Sequence, residues 1–304
     1  MFAMPCDTHP SPVPPLTVAI CSSQRGKTLT QTLEGLLPEA LSLHAELLVI
    51  DQAHEHPPKI NHRLLAWERQ GTIRWIRTCE DSLTGKRNVA LRESHSNIIL
   101  FVDDDVLVPT DFLSRHLKVY ENHQIAGVTG QVYHAMTPGA PPSLQNPKEK
   151  SRPHFTSTSP TQTRSFIGCN HSVLKSAARA IGGYDEQFIG SSQCEDFDFA
   201  DRLADAGYTL WYDPEAWLIH LRERTGGTRG TDQWPEWTRT ANIFLYLFRH
   251  GKSHSRIALL WRTLRTGPLR KEVVASPRTW LSAWVACFKG LRYGWKNRHF
   301  KPAL

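Results

Sequence analysis

Three carboxylates stand side by side at Asp103, Asp104 and Asp105, where the apolar run NIILFVDDDVLVP turns polar. Adjacent like charges repel, so the arrangement calls for compensation. A cluster of hard oxygen ligands suits Mg2+ or Mn2+, and such an ion clamps a diphosphate. The competing reading is a solvated acidic turn. Asp51 closes a second apolar run, AELLVIDQA. A carboxylate there can accept hydrogen bonds from a nucleobase or ribose, or simply cap the next turn. In TGKRNVALRES, Lys86 and Arg87 fall at a helix start, where the helix dipole disfavours cations. A nearby anion such as phosphate would relieve that conflict; an exposed basic turn would avoid it.

In CEDFDFADRL, Glu195 and Asp196 fall in the first turn of a helix. Acids are favoured there in any case, but a carboxylate in a cleft could instead deprotonate a hydroxyl nucleophile. Asp198 and Asp201 read as a solvated face shared with Arg202. WLIHL places His220 at a strand end, either as a core histidine or as an imidazole ligand to an ion at the triplet. The loop ERTGGTRG, 223–230, carries two arginines and could fold over a phosphate.

Hydrophobic spacing defines the elements that must position these groups. Strands are expected over 16–23, 45–53, 71–78 and 97–102, with helices over 27–37, 60–69, 84–94 and 110–122, the last capped by Thr110. Apolar strands alternating with amphipathic helices predict an α/β fold with a mainly parallel sheet covered on both faces. Ligands of such sheets bind beyond the carboxyl ends of the strands, where Asp51 and the triplet lie. Further on, 125–136 reads as a strand, 137–164 as a long structureless polar loop, and SFIGCN (165–170) as another strand. A helix ending at Gly182-Gly183 follows, then a helix from Glu195 to Ala206 and two short strands. The rest shows helical spacing over 234–249, 255–266 and 279–295, and no internal repeat is visible.

Taken in order, VAICSSQRGKTLTQTLEGLL, ELLVIDQA, GKRNVAL, ILFVDDDVLVP, GCNHSVLKSAARAIGGYDEQF and EDFDFADRLADAGYTLWYDPEAWLIH resemble the family 2 glycosyltransferases with the GT-A fold, a Rossmann-like architecture. The resemblance spans about Leu16 to Leu221. It implies inverting transfer from a nucleotide-diphospho-sugar, usually a UDP- or dTDP-sugar, to a glycan or lipid-linked acceptor. It implies that Asp51 meets the base and that Arg87 lies near the nucleotide. Asp103 would hold ribose, and Asp104 or Asp105 would bind the metal, with His220 beside it. Ser22 and Arg25, in the loop CSSQRGKT, would border the nucleotide, and Gly168 and Asn170 the sugar or acceptor. Asp196, next to Glu195, would be the catalytic base. Two departures stand out: Gln52 follows Asp51 where a second acid or Asn is usual, and SSQC replaces the usual Gly-Trp before the Glu195-Asp196 pair. Two other readings remain: a sugar-phosphate nucleotidyltransferase, which would want a richer glycine loop than CSSQRGKT, and a non-catalytic sugar-nucleotide or lipid-binding module.

The chain of 304 residues accommodates a leader (1–15), a catalytic domain (16–230) and a helical region (231–304). The catalytic domain would divide into a nucleotide-binding half (16–134) and an acceptor half (164–230). The net charge is +7 and the pI about 9.2. The excess sits after Arg249, where Glu272 is the one acid before Lys301. Trp280, Trp284, Cys287, Phe288 and Leu291 recur there at helical spacing. That pattern fits either an interfacial helix on anionic lipid or a helix packed on the catalytic domain. Nucleic acid is not expected, because no binding motif accompanies the charge. Six scattered cysteines without CxxC spacing read as free thiols of a reducing compartment. No signal-peptide pattern opens the chain, and no apolar run nears the roughly 20 residues of a spanning helix. A cytoplasmic protein, peripheral to the inner face of the cell membrane, is therefore the expectation.

Overall fold

Alternating side chains of four apolar strands feed two separate cores, and that alternation explains the central sheet. In the computed structural model these strands are β1 (Thr17–Ser22), β2 (Glu46–Asp51), β3 (Arg74–Arg77) and β4 (Ile98–Asp103). They run parallel in the order β3-β2-β1-β4. The described residues are 13–304 apart from 54, 123, 136–143, 145–150, 154, 156, 191, 224–236, 251–253 and 267. Val18, Ile20, Leu47, Val49, Leu100 and Val102 face one core, against Leu29, Leu33 and Leu36 of α1 (Gly26–Ser42) and Leu64 of α2 (Pro58–Arg69). Ala19, Leu48, Ile50, Ile99 and Phe101 face the other, against Ala90 and Leu91 of α3 (Leu83–Glu93), Tyr184 and Phe199.

Beyond β4 the sheet becomes mixed. After β5 (Val106–Leu107) and α4 (Phe112–Asn122) come β6 (Gly127–Ala135), then β7 (Ser151–Pro153) and β8 (Thr161–Thr163) at the margins, then β9 (Asn170–Leu174). Next are α5 (Lys175–Ala180), α6 (Glu195–Asp205) and β10 (Leu210–His220). β9 runs antiparallel between β4 and β6, β10 runs parallel to β6, and β5 pairs antiparallel with the end of β10.

Several expectations are corrected. The strand expected over 165–170 lies at Asn170–Leu174, because HSVL pairs on both sides while Phe166 and Ile167 reach the cores from a loop. Thr110 does not open α4; the Glu39 carboxylate of α1 accepts from the amides of Leu113 (2.8 Å) and Ser114 (2.9 Å) instead. One strand, β10, replaces the two expected, with its register broken between Asp213 and Leu218. Pro214 lies within that break and cannot donate to a ladder. At the break the Ala216 carbonyl approaches Gly130 so closely that a Cβ there would sit 1.6 Å from it. The 137–164 segment is not wholly irregular, since β7 and β8 pair with β6 and β10. Most of its first half lies outside the described residues, as do the leader up to residue 12, the loop 224–230 and the 230/231 boundary.

The remaining helices are α7 (Trp237–His250), α8 (His254–Thr266), α9 (Lys271–Val274) and α10 (Pro277–Lys296). α10 lies on α7 through Ala283, Cys287, Gly290 and Gly294. A Cβ at Gly294 would meet the Leu245 amide nitrogen at 2.7 Å, so glycine permits the close approach. α7 meets α6 through charge. Asp198 is fully buried among Arg202 (2.8 Å), His250 (2.9 Å) and Arg249 (3.3 Å), and Asp201 accepts from the Tyr246 hydroxyl (2.8 Å). These two acids are therefore internal anchors rather than a solvated face.

Candidate active site

The triplet sits in the turn from β4 to β5, and its three carboxylates have different fates. Asp104 accepts from Ser22 Oγ (2.7 Å) and from Arg25 Nη1 (3.1 Å). Asp105 accepts from Arg25 Nη1 (3.0 Å), the Glu223 amide (2.9 Å) and His220 Nε2 (3.0 Å). The β5–β10 ladder places His220 opposite Val106 and so delivers the imidazole. Both acids are buried, whereas the Asp103 side chain is 26% exposed. Burial pushes Asp104 up to about 7 despite Arg25. Burial also opposes ionisation of Asp105, but His220 and Arg25 prevail and hold its carboxyl below the usual range. Burial disfavours the charged form of His220, yet Cys169 and Asp105 outweigh it and push the imidazole up to about 10. The chain thus supplies close cationic partners for two members of the triplet, whereas Asp103 is the exposed member and lies 3.5 Å from His220.

Asp51, at the end of β2, is fully buried. It accepts from the Ala53 amide (2.9 Å) and Trp75 Nε1 (3.1 Å) and pairs with His56 Nε2 (2.6 Å). Burial opposes its charge, but these partners hold its carboxyl below the usual range. Gln52 accepts from Ser23 Oγ (2.7 Å) and Lys86 Nζ (3.4 Å). Lys86 is buried, which lowers its ammonium pKa against the pull of Asp104 and Asp51. His56 and Trp75 were not expected as site residues, and Gln52 was noted only as a departure from the usual pattern. They lie in or beside the β2 end, and only the contact with Asp51 or Lys86 reveals them.

The second wall is the start of α6, entered through Cys194 in a left-handed conformation (φ 72°). Arg87 is buried and bridges this wall to the sheet: Nη1 donates to Glu195 (2.9 Å) and Nη2 to the Gly168 carbonyl (2.8 Å). The Gly168 amide in turn donates to Asp196 Oδ2 (2.9 Å). Burial and neighbouring Asp196 push Glu195 up to about 8, against Arg87. Asp196 is the half-buried carboxylate of the pair. A Cβ at Gly168 would lie 3.1 Å from Arg87 Nη2 and 3.3 Å from Asp196 Oδ2. Asn170 is fully buried: Nδ2 donates to the carbonyls of Ala216 (2.8 Å) and Gln131 (3.1 Å), and its Oδ1 meets His116 Nε2 (2.9 Å). It braces β9 against β6, β10 and α4.

Ligand atoms of Asp103, Cys169 and His220 lie within 4.8 Å of one another, with Asp103 Oδ2 3.5 Å from His220 Nε2. His220 Nδ1 is buried without a hydrogen-bond partner, whereas Nε2, the nitrogen near Asp103, also bonds Asp105. A carboxylate, an imidazole and a sulfur are a donor set that fits a divalent ion. The GCN loop thereby joins both ends of the site: Gly168 holds Asp196, and the next residue, Cys169, meets His220. Ser22, Arg25, Asp104, Asp105 and His220 form one cluster, and Arg87, Gly168, Glu195 and Asp196 form another. Asp51 flanks the first cluster, paired with Ser22 across the β1–β2 ladder, and acts on Lys86.

The chain is similar to known proteins in both sequence and fold. The profile described as Glycosyl transferase family 2 matches residues 17–182. Succinoglycan biosynthesis protein ExoM of Rhizobium meliloti (strain 1021) is 27% identical over 248 residues, covering 80% of this chain and 74% of that protein. Among solved structures, the mannosyltransferase PcManGT of Pyrobaculum calidifontis, in complex with GDP-Man and Mn2+, superposes with a TM-score of 0.55 at 18% identity, covering 91% of this chain and 75% of that one. GalNAc-T7 with UDP, GalNAc and Mn2+ superposes with a TM-score of 0.56 at 13% identity, covering 84% of this chain and only 54% of that longer one. At such identities the likeness to the two structures is one of fold, the GT-A fold.

Proposed function

Because the chain belongs to glycosyltransferase family 2, we propose that it moves a sugar, with inversion, from a nucleotide-diphospho-sugar to a hydroxyl of a glycan or lipid-linked acceptor in cell-surface polysaccharide synthesis. The observation that carries this reading is the GCN loop. One residue of it holds the half-buried carboxylate Asp196, and the next touches the Asp103–His220 group. With Asp196 as the base and the Asp103–His220 group as the leaving-group site, the two would flank this short loop, which supports attack from the side opposite the leaving group. The UDP- or dTDP-sugar preference implied by the resemblance extends to GDP-sugars through the fold shared with PcManGT.

In this reading Asp103 and His220 hold Mg2+ or Mn2+, which supplies positive charge for the leaving diphosphate. Gln52 lies on the nucleobase side, with the buried Asp51 holding His56 and Trp75 beneath it, and Lys86 donates to Gln52 there. Asp196 accepts the acceptor hydroxyl proton. The Gly168 amide fixes the orientation of that carboxylate, and Glu195, held by Arg87, keeps the turn in place. Preorganisation of this kind is where most of the rate enhancement originates. A donor screen tests the proposal: UDP-, GDP- and dTDP-sugars are incubated with and without Mn2+, and release of nucleoside diphosphate is followed. Release from one donor supports it. Pyrophosphate formation from a nucleoside triphosphate would instead mark a nucleotidyltransferase, and no turnover of any donor would mark a binding module.

α10 supports a membrane-bound acceptor. Its small residues face α7, whereas Trp280, Leu281, Trp284, Val285, Phe288, Leu291 and Trp295 are exposed, Phe288 by 65%. Arg278, Lys289, Arg292, Lys296 and Arg298 surround them. No helix among the described residues is long and apolar enough to cross a membrane. An apolar ridge with a cationic margin matches the interface of an anionic bilayer. Flotation with phosphatidylglycerol vesicles is expected for the native chain and lost in Phe288→Glu; equal flotation of both would remove this part.

A further inference from the structure

The Asp103–His220 group has a third member that oxygen-binding Mg2+ or Mn2+ does not require. Cys169 is buried, its sulfur lies within 4.8 Å of both the Asp103 carboxylate and the His220 imidazole, and it hydrogen-bonds to His220. It sits in the turn between Gly168 and Asn170, both of which are fixed: the Gly168 amide by Asp196, and Asn170 by the carbonyls of Ala216 and Gln131. The sulfur is therefore held at the site by the backbone on either side. His220 Nδ1 has no hydrogen-bond partner although the residue is 1% exposed. The Asp103 side chain is 26% exposed, so the group reaches solvent on that side.

We propose that Cys169 is a metal ligand, and that this chain's cation site consequently takes thiophilic divalent ions, Co2+, Zn2+ or Cd2+, in preference to Mg2+. Three protein ligands, one of them sulfur, leave coordination positions free for diphosphate oxygens or water, the pattern of an open rather than a structural site. Metal–sulfur and metal–nitrogen bonds of about 2.3 and 2.0 Å put ligands on one ion somewhat under 4 Å apart. The group therefore closes by roughly an ångström on binding. Sulfur favours softer ions, and divalent affinities rise from Mn2+ towards Cu2+ in any case. On binding, the Cys169 thiol loses its proton to solvent, as does His220 at its ligating nitrogen, and a metal–sulfur bond replaces the sulfur–imidazole contact. This inference rests on the reading of Asp103 and His220 as the cation site of sugar transfer.

Cobalt is the probe, because a thiolate bound to Co2+ gives a near-ultraviolet charge-transfer band that oxygen and nitrogen ligands do not. Co2+ is titrated into the purified full-length chain and into Cys169→Ser, Cys169→Ala and Cys79→Ser, with melting curves confirming that each variant is folded. Cys79 is exposed and serves as the thiol control. The expected result is a saturable one-to-one band in the native chain and in Cys79→Ser. Both Cys169 variants lose it, and their Co2+ affinity falls by no less than the roughly tenfold that loss of even an outer partner costs. A native chain without the band, or a band that survives in both Cys169 variants, overturns the proposal. Calorimetry of UDP, GDP and dTDP binding with Mn2+ separates the two readings. Mn2+-dependent nucleotide binding without a cobalt band overturns only the thiolate ligand. Absence of both overturns the cation site itself.

Discussion

Arg25→Met probes how the acidic triplet is tolerated. The Arg25 guanidinium contacts Asp104 at 3.1 Å and Asp105 at 3.0 Å, and all three side chains are at most 7% exposed. Methionine keeps the unbranched apolar stem and removes the charge. Removing one partner of a buried pair costs about 3–5 kcal/mol, or roughly 6–20 °C in melting temperature for a chain of this size. The pH sign follows from the carboxylates left behind. With Arg25 gone, the folded pKa of Asp104 rises further above the unfolded value, from about 7, and that of Asp105 rises from below the usual range while His220 still holds it down. A carboxylate whose folded pKa is raised loses stability as pH climbs from about 4 through the raised value. The deficit should therefore be larger at pH 8 than at pH 5. Arg63→Met is the control, since the Arg63–Glu34 pair is exposed and is worth at most about 1 kcal/mol. Thermal melts of both variants at the two pH values give the answer. The reasoning is wrong if Arg25→Met melts with the control at pH 8, or if its deficit is the same at pH 5.

Gly168→Ala should leave the melting temperature nearly unchanged but lower kcat about tenfold or more, because the new Cβ crowds Arg87 and Asp196 at 3.1 and 3.3 Å and small misplacements at the reacting centre are costly; steady-state kinetics with intact donor affinity is the check. Asp198→Asn should destabilise the chain by about 2 kcal/mol at pH 7, the equivalent of holding that carboxyl down at about 2. That contribution is present above the unfolded pKa and fades as pH falls from about 4 through 2, so denaturant midpoints of native and variant should converge in that window.

The parallel half of the sheet was legible because each strand is a continuous apolar run with turn residues at its ends. Asp51 and the triplet could be placed at strand ends for the same reason. The antiparallel half was harder: SFIGCNHSVL offers two apolar stretches, and only pairing with β4 and β6 selects the second. The charged partners were illegible because they come from far along the chain. Arg25 reaches Asp104 across 79 residues, and Arg249 reaches Asp198 across 51. Acids that look solvated in a local window are thus internal, and the exposed acid of the triplet is Asp103. Cys169 was legible as the middle of GCN, but not as a partner of His220 until β10 brought the imidazole beside it.

The central claim is that Asp196 acts on the acceptor while the triplet side of the site holds the donor. Its most direct test is to measure donor binding and donor turnover separately in Asp196→Asn. The account predicts nucleotide-sugar affinity within about twofold of the native chain, with sugar transfer reduced by about 100-fold or more, the range for loss of a general base. Turnover that survives in Asp196→Asn, with the donor bound as before, would contradict it.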